Sequence, residues 1–336
     1  MKEVLLDANF PRDATGATYH VGTRPGQVAN RIITVGDQLR ARRIAAHFDG
    51  GAASFEFQSQ RSFLTLTGTF KGVPLTVVSV GMGFSVIDFF LRECRAVVEG
   101  EMIIVRLGSC GSIDPSIPIG SVVVPLTSYG ITREYDYFHP LTTAEERATG
   151  AMEPYKVTKP LDCDREIHDS LLRALEESTP EAAKAHFGGV APRSVGEVVN
   201  GSTDSFYSSQ GRTSIDFLDA NANLIDVLRQ RHSISTLEME TFVLNHLALS
   251  ANLASANRAS ESGAVVADEA LTTNDSRRIR TGAVQMIFAN RHTSAFITPE
   301  EVHLLEDWAG KAVCESLASL EIPLEHTHKD GVWNGQ

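Results

Sequence analysis

Apolar and polar residues along the chain form short runs that switch between strand and helix periods. Residues 31–35 (RIITV) are a brief apolar run closed by Gly36, as a short strand is. The stretch that follows keeps Leu39, Ile44, Ala45 and Phe48 on one stripe and stops at Gly50-Gly51, which predicts a helix with that face to the core. Residues 61–70 (RSFLTLTGTF) alternate as a half-buried strand does. Lys71-Gly72 is a turn and 73–80 (VPLTVVSV) a second strand, so 61–80 reads as a hairpin. Gly81-Met82-Gly83 breaks it, and 84–98 returns to helical spacing. Residues 102–107 (MIIVRL) and 121–126 (SVVVPL) are nearly continuous apolar runs, which fits buried central strands. Strands alternate with helices from there on. The last helix has Thr298 as cap, Pro299 in its first turn and Glu301 completing a capping box; Val302, Leu305, Val313, Leu317 and Leu320 face the core. This alternation predicts an α/β layered fold with one central sheet. With no linker and no repeat, residues 1–336 read as a single domain, with loop-rich additions at 136–165 and in the tail from Pro323.

Charge and composition narrow the function classes. A net charge of −12 excludes bulk nucleic-acid binding, which needs a basic footprint. With 42% apolar and 21% charged residues the chain is globular rather than disordered. The uncharged stretches 72–87 and 115–132 are both broken by Gly and Pro, so no membrane span is expected. The N-terminus lacks a signal peptide's apolar core, and Cys94, Cys110, Cys163 and Cys314 are scattered without CxxC spacing. A reducing cytosol is the expected location. The cations comprise 23 Arg against 7 Lys. Arg presents a planar donor fork that matches phosphate and carboxylate, though codon bias yields the same imbalance.

A few residues could carry chemistry. Arg106 stands inside an apolar run, where a guanidinium requires an anion. Gly108-Ser109-Cys110-Gly111 follows, offering backbone N–H groups and a hydroxyl to an anion. A turn with Arg106 paired to a buried carboxylate fits the same residues. Gly36-Asp37 with Arg40 ends a strand and opens a helix, either as an anion site or as an ordinary cap. Glu238-Met239-Glu240 places two carboxylates on one face of a strand end, suited to a diol, a metal or a proton, or to charging a helix N-terminus. Phe206 with Gln210-Gly211-Arg212 combines a stacking ring with an amide and a guanidinium that can read the edge of a base; an exposed turn is the alternative. Arg277-Arg278-Ile279-Arg280 reads as a solvated loop, and no HxxxH pair suggests zinc.

Taken in order, these pieces resemble the nucleoside phosphorylases of the family that contains uridine phosphorylase, hexameric purine nucleoside phosphorylase and related nucleosidases. The resemblance runs from about Tyr19 to Leu320. It rests on His20-Val21-Gly22, Gly36-Asp37 with Arg40, Arg61 in the following strand, Gly81-Met82-Gly83, Arg106 to Gly111, Gly120 to Pro125, and Glu238-Met239-Glu240. It implies a three-layer αβα fold with a mixed, twisted central sheet flanked by helices. It also implies a phosphate site from the Gly36 N–H, Arg40, Arg106 and Ser109, with Arg61 reaching into a neighbouring subunit's phosphate site. His20 would meet the ribose 5′-hydroxyl of the neighbour's nucleoside, Met239 would pack on the sugar, and Glu240 would accept from its 2′- and 3′-hydroxyls. The run Phe206, Gln210, Arg212 is similar to the uracil-binding pattern of uridine phosphorylases. The implied reaction is reversible phosphorolysis of uridine in pyrimidine salvage, with Arg106, Gln210 and Arg212 closest to the chemistry. Phosphate is co-substrate, no cofactor is needed, and at least a homodimer shares its sites. A purine phosphorylase or a nucleosidase is the alternative within the family. Two departures stand out. The Arg expected near Ala267-Asp268-Glu269 is missing, and the Glu that would hold an interface cation just after Arg61 is Ser62.

Overall fold

The computed structural model describes residues 5–148, 152–181, 187, 192–259 and 276–334. Its strands are β1 (Leu5–Leu6), β2 (Arg12–Asp13), β3 (Arg31–Val35), β4 (Phe55–Gln58), β5 (Leu64–Phe70), β6 (Val73–Ser79), β7 (Met102–Ser112), β8 (Val122–Arg133), β9 (Tyr155–Val157), β10 (Leu161–Asp162), β11 (Ser194–Thr203), β12 (Thr236–Glu238), β13 (Ile279–Asn290) and β14 (Ala295–Phe296). The α-helices are α1 (Gln38–Ala45), α2 (Phe84–Val97), α3 (Ala144–Ala148), α4 (Arg165–Glu177), α5 (Leu224–His232), α6 (Thr241–Ala259) and α7 (Pro299–Ser319).

A mixed sheet of 12 strands organises the molecule, in the order β14-β13-β8-β11-β12-β7-β3-β6-β5-β4, with β9 and β10 added on β8. β13 pairs in parallel with β7 and also antiparallel with β8, so part of the sheet closes on itself. The core follows from the alternation of strand side chains. On β7, Ile103, Val105 and Leu107 pack with α1, α4 and α7 on one face, while Met102 and Ile104 pack with α2 and α6 on the other. This is the expected αβα layering. The α7 cap is as predicted: Thr298 accepts from the Glu301 N–H and Glu301 accepts from the Thr298 N–H.

Several local expectations change. β7 does not stop at Leu107 but continues through Ser112. Gly108 is a strand residue through its pairing with Gln285 of β13, and that side chain leaves room only for glycine: a Cβ there would sit 2.3 Å from Gln285 Oε1. The 121–126 run likewise extends to Arg133. β5 is buried on both faces, Thr67 donating its hydroxyl to the Gln27 carbonyl. Arg61 stands in the turn before β5 rather than in the strand. Leu39 is 58% exposed, because the buried side of the short α1 carries Arg40, Ala41, Ile44 and Ala45 instead.

Arg280 is the largest correction. Arg277 is exposed in a turn, as expected of a solvated loop, and Arg278 precedes the strand, but Ile279 and Arg280 begin β13 and Arg280 is 7% exposed. Its guanidinium donates to both oxygens of Asp164, at 2.8 and 2.9 Å, and to Glu166. Those acids lie more than a hundred residues away, so sequence-local charge gave no sign of them. The 136–165 segment includes α3, β9 and β10. The tail also folds back: His326 O accepts from Glu101 N, and Trp333 is buried.

Candidate active site

One cleft collects most of the residues singled out by type and spacing. It is lined by Gly36, Arg40, Arg106 and Ser109 in one group, by Met239 and Glu240 in a second, and by Phe206, Gln210 and Arg212 in a third. The ends of β3, β7, β11, β12 and β13 supply the walls, as is usual for ligand crevices of α/β sheets.

The cationic end is built from buried arginines. Arg106 projects from the middle of β7 on the face toward α6 and is 3% exposed. Its Nη2 donates to Glu240 Oε2 at 2.8 Å, while Nε and Nη1 are buried without a partner among the described residues. Two orphaned guanidinium nitrogens are costly unless an acceptor approaches them. Gly36 lies close by; a Cβ there would be 3.6 Å from Arg106 Nη2. Asp37 caps α1 by accepting from the Arg40 N–H, and Arg40 Nε donates to Glu306 Oε1 of α7 at 2.8 Å. Glu306 is buried and also binds Arg43, so α7 fixes the pose of Arg40.

Glu240 and Glu238 divide into two roles. Glu240 accepts from Arg106 and from the Gly83 N–H at 2.6 Å. Burial raises its pKa, and Glu238 pushes the same way, against the opposing pull of Arg106. Glu238 accepts from Asn200 and Ser202 and from the N–H groups of Glu240 and Thr241. It therefore anchors the start of α6, as the helix-charge alternative held, and Glu240 is the carboxylate presented beside Arg106.

At the other end the strand β11 leads into a 3₁₀ turn at Ser208–Gln210, and Gly211 adopts a left-handed conformation at φ 63°. Gln210 is buried, donating to Thr203 Oγ1 at 3.0 Å and accepting from Arg212 Nη1 at 2.5 Å. Arg212 lies over the Phe206 ring, 3.7 Å from its centroid. Burial, reinforced by the neighbouring Arg291 charge, lowers the Arg212 guanidinium to about 10. Amide, guanidinium and ring thus form one connected group at the cleft, with Gln210 buried, rather than a wholly exposed turn.

Arg61 and His20 are not in this cleft. Arg61 is exposed, donates to the Tyr19 hydroxyl at 2.6 Å and lies over the Tyr19 ring. His20 stacks on Phe89, with Nδ1 2.6 Å from Glu93 Oε1. Tyr19 and His20 also meet edge to face, so the four aromatic and basic side chains form one surface group. Residues not anticipated complete the cleft. Met82, Leu237, Phe288 and Phe296 supply apolar walls. Arg291 donates to the carbonyls of Gln210 and Gly211 at 2.9 and 3.2 Å. Its signal in the sequence was an Arg directly after an apolar strand, whereas Arg106 stands within one. Ala267, Asp268 and Glu269 lie outside the described residues. Cys110 lines the cleft, but burial raises its thiol well above the usual range, which disfavours the thiolate that a nucleophile needs. Among the described residues no His, Cys, Asp and Glu cluster suits a metal ion, and no helix is long and apolar enough to cross a membrane.

Buried arginines and a carboxylate at one end of the cleft, with an amide, a guanidinium and an aromatic ring at the other, are groups suited to an anion next to a polar ring. The chain belongs to the Phosphorylase superfamily, whose model matches residues 30–285. It is similar to a uridine phosphorylase of Thermococcus kodakarensis, at 28% identity over 93% of this chain and 98% of that one. A structure of a uridine phosphorylase of the oomycete Phytophthora capsici superimposes with a TM-score of 0.81, at 32% identity, covering 95% of this chain and all of that one. A purine nucleoside phosphorylase of Geobacillus kaustophilus is 34% identical, but over only 38% of this chain and 58% of its own length.

Proposed function

We propose that this protein catalyses the reversible phosphorolysis of uridine to uracil and ribose 1-phosphate. The observation that carries this reading is Arg106, buried with two free donors at one end of a cleft whose other end holds Gln210 and Arg212. Phosphate binds to the Gly36 N–H, Arg40, Arg106 and Ser109. Glu240 accepts from the ribose 2′- and 3′-hydroxyls and Met239 packs on the sugar. Phe206, Gln210 and Arg212 hold uracil.

The bond from C1′ to N1 breaks with its electron pair passing to the uracil ring, and a phosphate oxygen forms the new bond to C1′. The enzyme has little proton chemistry to do. It holds the nucleophile in place and puts donors where charge develops on the uracil carbonyls. Whole-chain similarity to uridine phosphorylases supports the pyrimidine choice, whereas the purine enzymes match over part of the chain.

The reading includes a single domain, a cytoplasmic location and a homodimer at minimum. His20 and Arg61 share one surface patch outside the cleft, which suits residues that serve a neighbour's site. No cofactor is required. A cation at the dimer interface would need ligands other than Ser62.

Base release from uridine, thymidine, inosine and adenosine, with and without phosphate, tests the proposal. Uracil release that saturates with phosphate is expected. Faster release of hypoxanthine would transfer the assignment to a purine enzyme, and release that ignores phosphate would make it a hydrolase.

A further inference from the structure

The described residues of the added segment at 136–165 are not among those that line the cleft, yet they grip the loop that carries Gln210 and Arg212. Arg133, at the end of β8, donates Nη1 to the Ser208 hydroxyl at 2.7 Å and to Asp219 Oδ1 at 2.5 Å, and Nη2 to the Leu218 carbonyl at 2.8 Å. Its backbone N–H donates to Asp204, which also accepts from Ser209. The added segment covers this guanidinium from outside: the Phe138 ring lies 3.6 Å from it. Tyr155 of β9 is buried, and its hydroxyl donates to the Asp219 carbonyl at 2.6 Å and lies 3.0 Å from the Ser208 hydroxyl. Burial raises the Tyr155 pKa, which keeps that donating proton in place.

Ser208 and Asp219 flank Gln210-Gly211-Arg212. One buttress therefore holds both sides of the loop, with charge-assisted bonds and a cation–π contact. From within, Asn221 ties the Ser208 and Arg212 carbonyls together. A loop that must hold an amide and a guanidinium in the plane of a base gains affinity when its pose is fixed before the ligand arrives.

We infer that the described parts of the added segment, residues 136–148 and 152–158, buttress the base-recognition loop, and that Arg133, Phe138 and Tyr155 are positioning residues that set affinity for the nucleoside and not for phosphate. The inference rests on the reading of Gln210 and Arg212 as base-binding groups.

Tyr155→Phe removes one hydroxyl and keeps the ring; Phe138→Leu removes the cover of Arg133. The test combines steady-state kinetics with amide hydrogen exchange of peptides covering 206–221 and 102–112. In both variants KM for uridine should rise about three- to tenfold, the range for a lost hydrogen bond or cation–π contact, while KM for phosphate stays within about twofold. Exchange should quicken in 206–221 and not in 102–112. The inference falls if the two KM values move together, if neither moves, or if exchange in 206–221 is unchanged. Should the wild-type protein release no uracil, the uridine reading fails by itself. The exchange measurement then still decides whether the buttress exists.

Discussion

Arg106 has three guanidinium nitrogens and one partner, and that imbalance is what gives the cleft its chemistry. The sequence left two readings of it, an anion site or a pair with a buried carboxylate. The structure combines them, because Glu240 satisfies Nη2 and leaves Nε and Nη1 for a ligand. Glu240 is in turn held close to Gly83 and Arg106, so the sugar and phosphate groups of a substrate would meet coupled residues. At the base end the decisive group is Arg212. Its charge is held at a half-buried site against its own desolvation and against Arg291, which makes it a strong donor to a developing oxyanion. Replacing it with Ala should lower kcat on uridine by about 10²- to 10³-fold, as loss of a preorganised donor does elsewhere. Steady-state rates with phosphate saturating check this, and unchanged turnover would sink the base-site assignment.

Helices and strands place these residues by means that local pattern does not reveal. The run 102–107 announced a strand, but its continuation through Gly108 and Gly111 depends on pairing with β13, a strand far along the chain. The same limit hid Arg280. A triplet of arginines looks solvated until α4 brings Asp164 against it. Burial raises the Asp164 pKa, yet the hydrogen bonds and charge of Arg280 outweigh this and leave it below the ordinary carboxylate value. A carboxylate with a depressed folded pKa contributes stability that is complete above its unfolded pKa of about 3.9 and is lost as pH falls through the folded value. Asp164→Asn keeps the helix cap but leaves Arg280 short of a charge partner, and should cost about 2–4 kcal/mol near neutral pH. Urea titration would measure it. The gap between wild type and variant should narrow below about pH 4. A gap that persists in acid would show that the ion pair is not its source.

At the scale of the molecule, the separation of His20 and Arg61 from the cleft is the feature with the largest consequence. Both belong to the motif set, and both lie on an outer patch with Tyr19 and Phe89. If sites are shared, co-expression of Arg61→Ala and Arg106→Ala chains should restore activity that neither has alone. Random pairing into dimers would return about a quarter of wild-type sites, since one site of each mixed dimer is then intact. No restoration in verified mixed dimers would place Arg61 outside catalysis.

Residue type and spacing by themselves pointed to an α/β layered fold and to the main helices and strands, and the order of the motifs carried the resemblance to the family. These depend on short-range periodicity and on side-chain chemistry, which neighbours in sequence carry. Tertiary structure alone decided which carboxylate serves Arg106, which anchors α6, what holds Arg40 and Arg280, and how the added segment reaches the base loop. Each of those is a pairing of charges or donors between elements far apart in the chain. Desolvation makes an unpaired group costly there, so the partner has to exist, but nothing local in the chain says where it will come from.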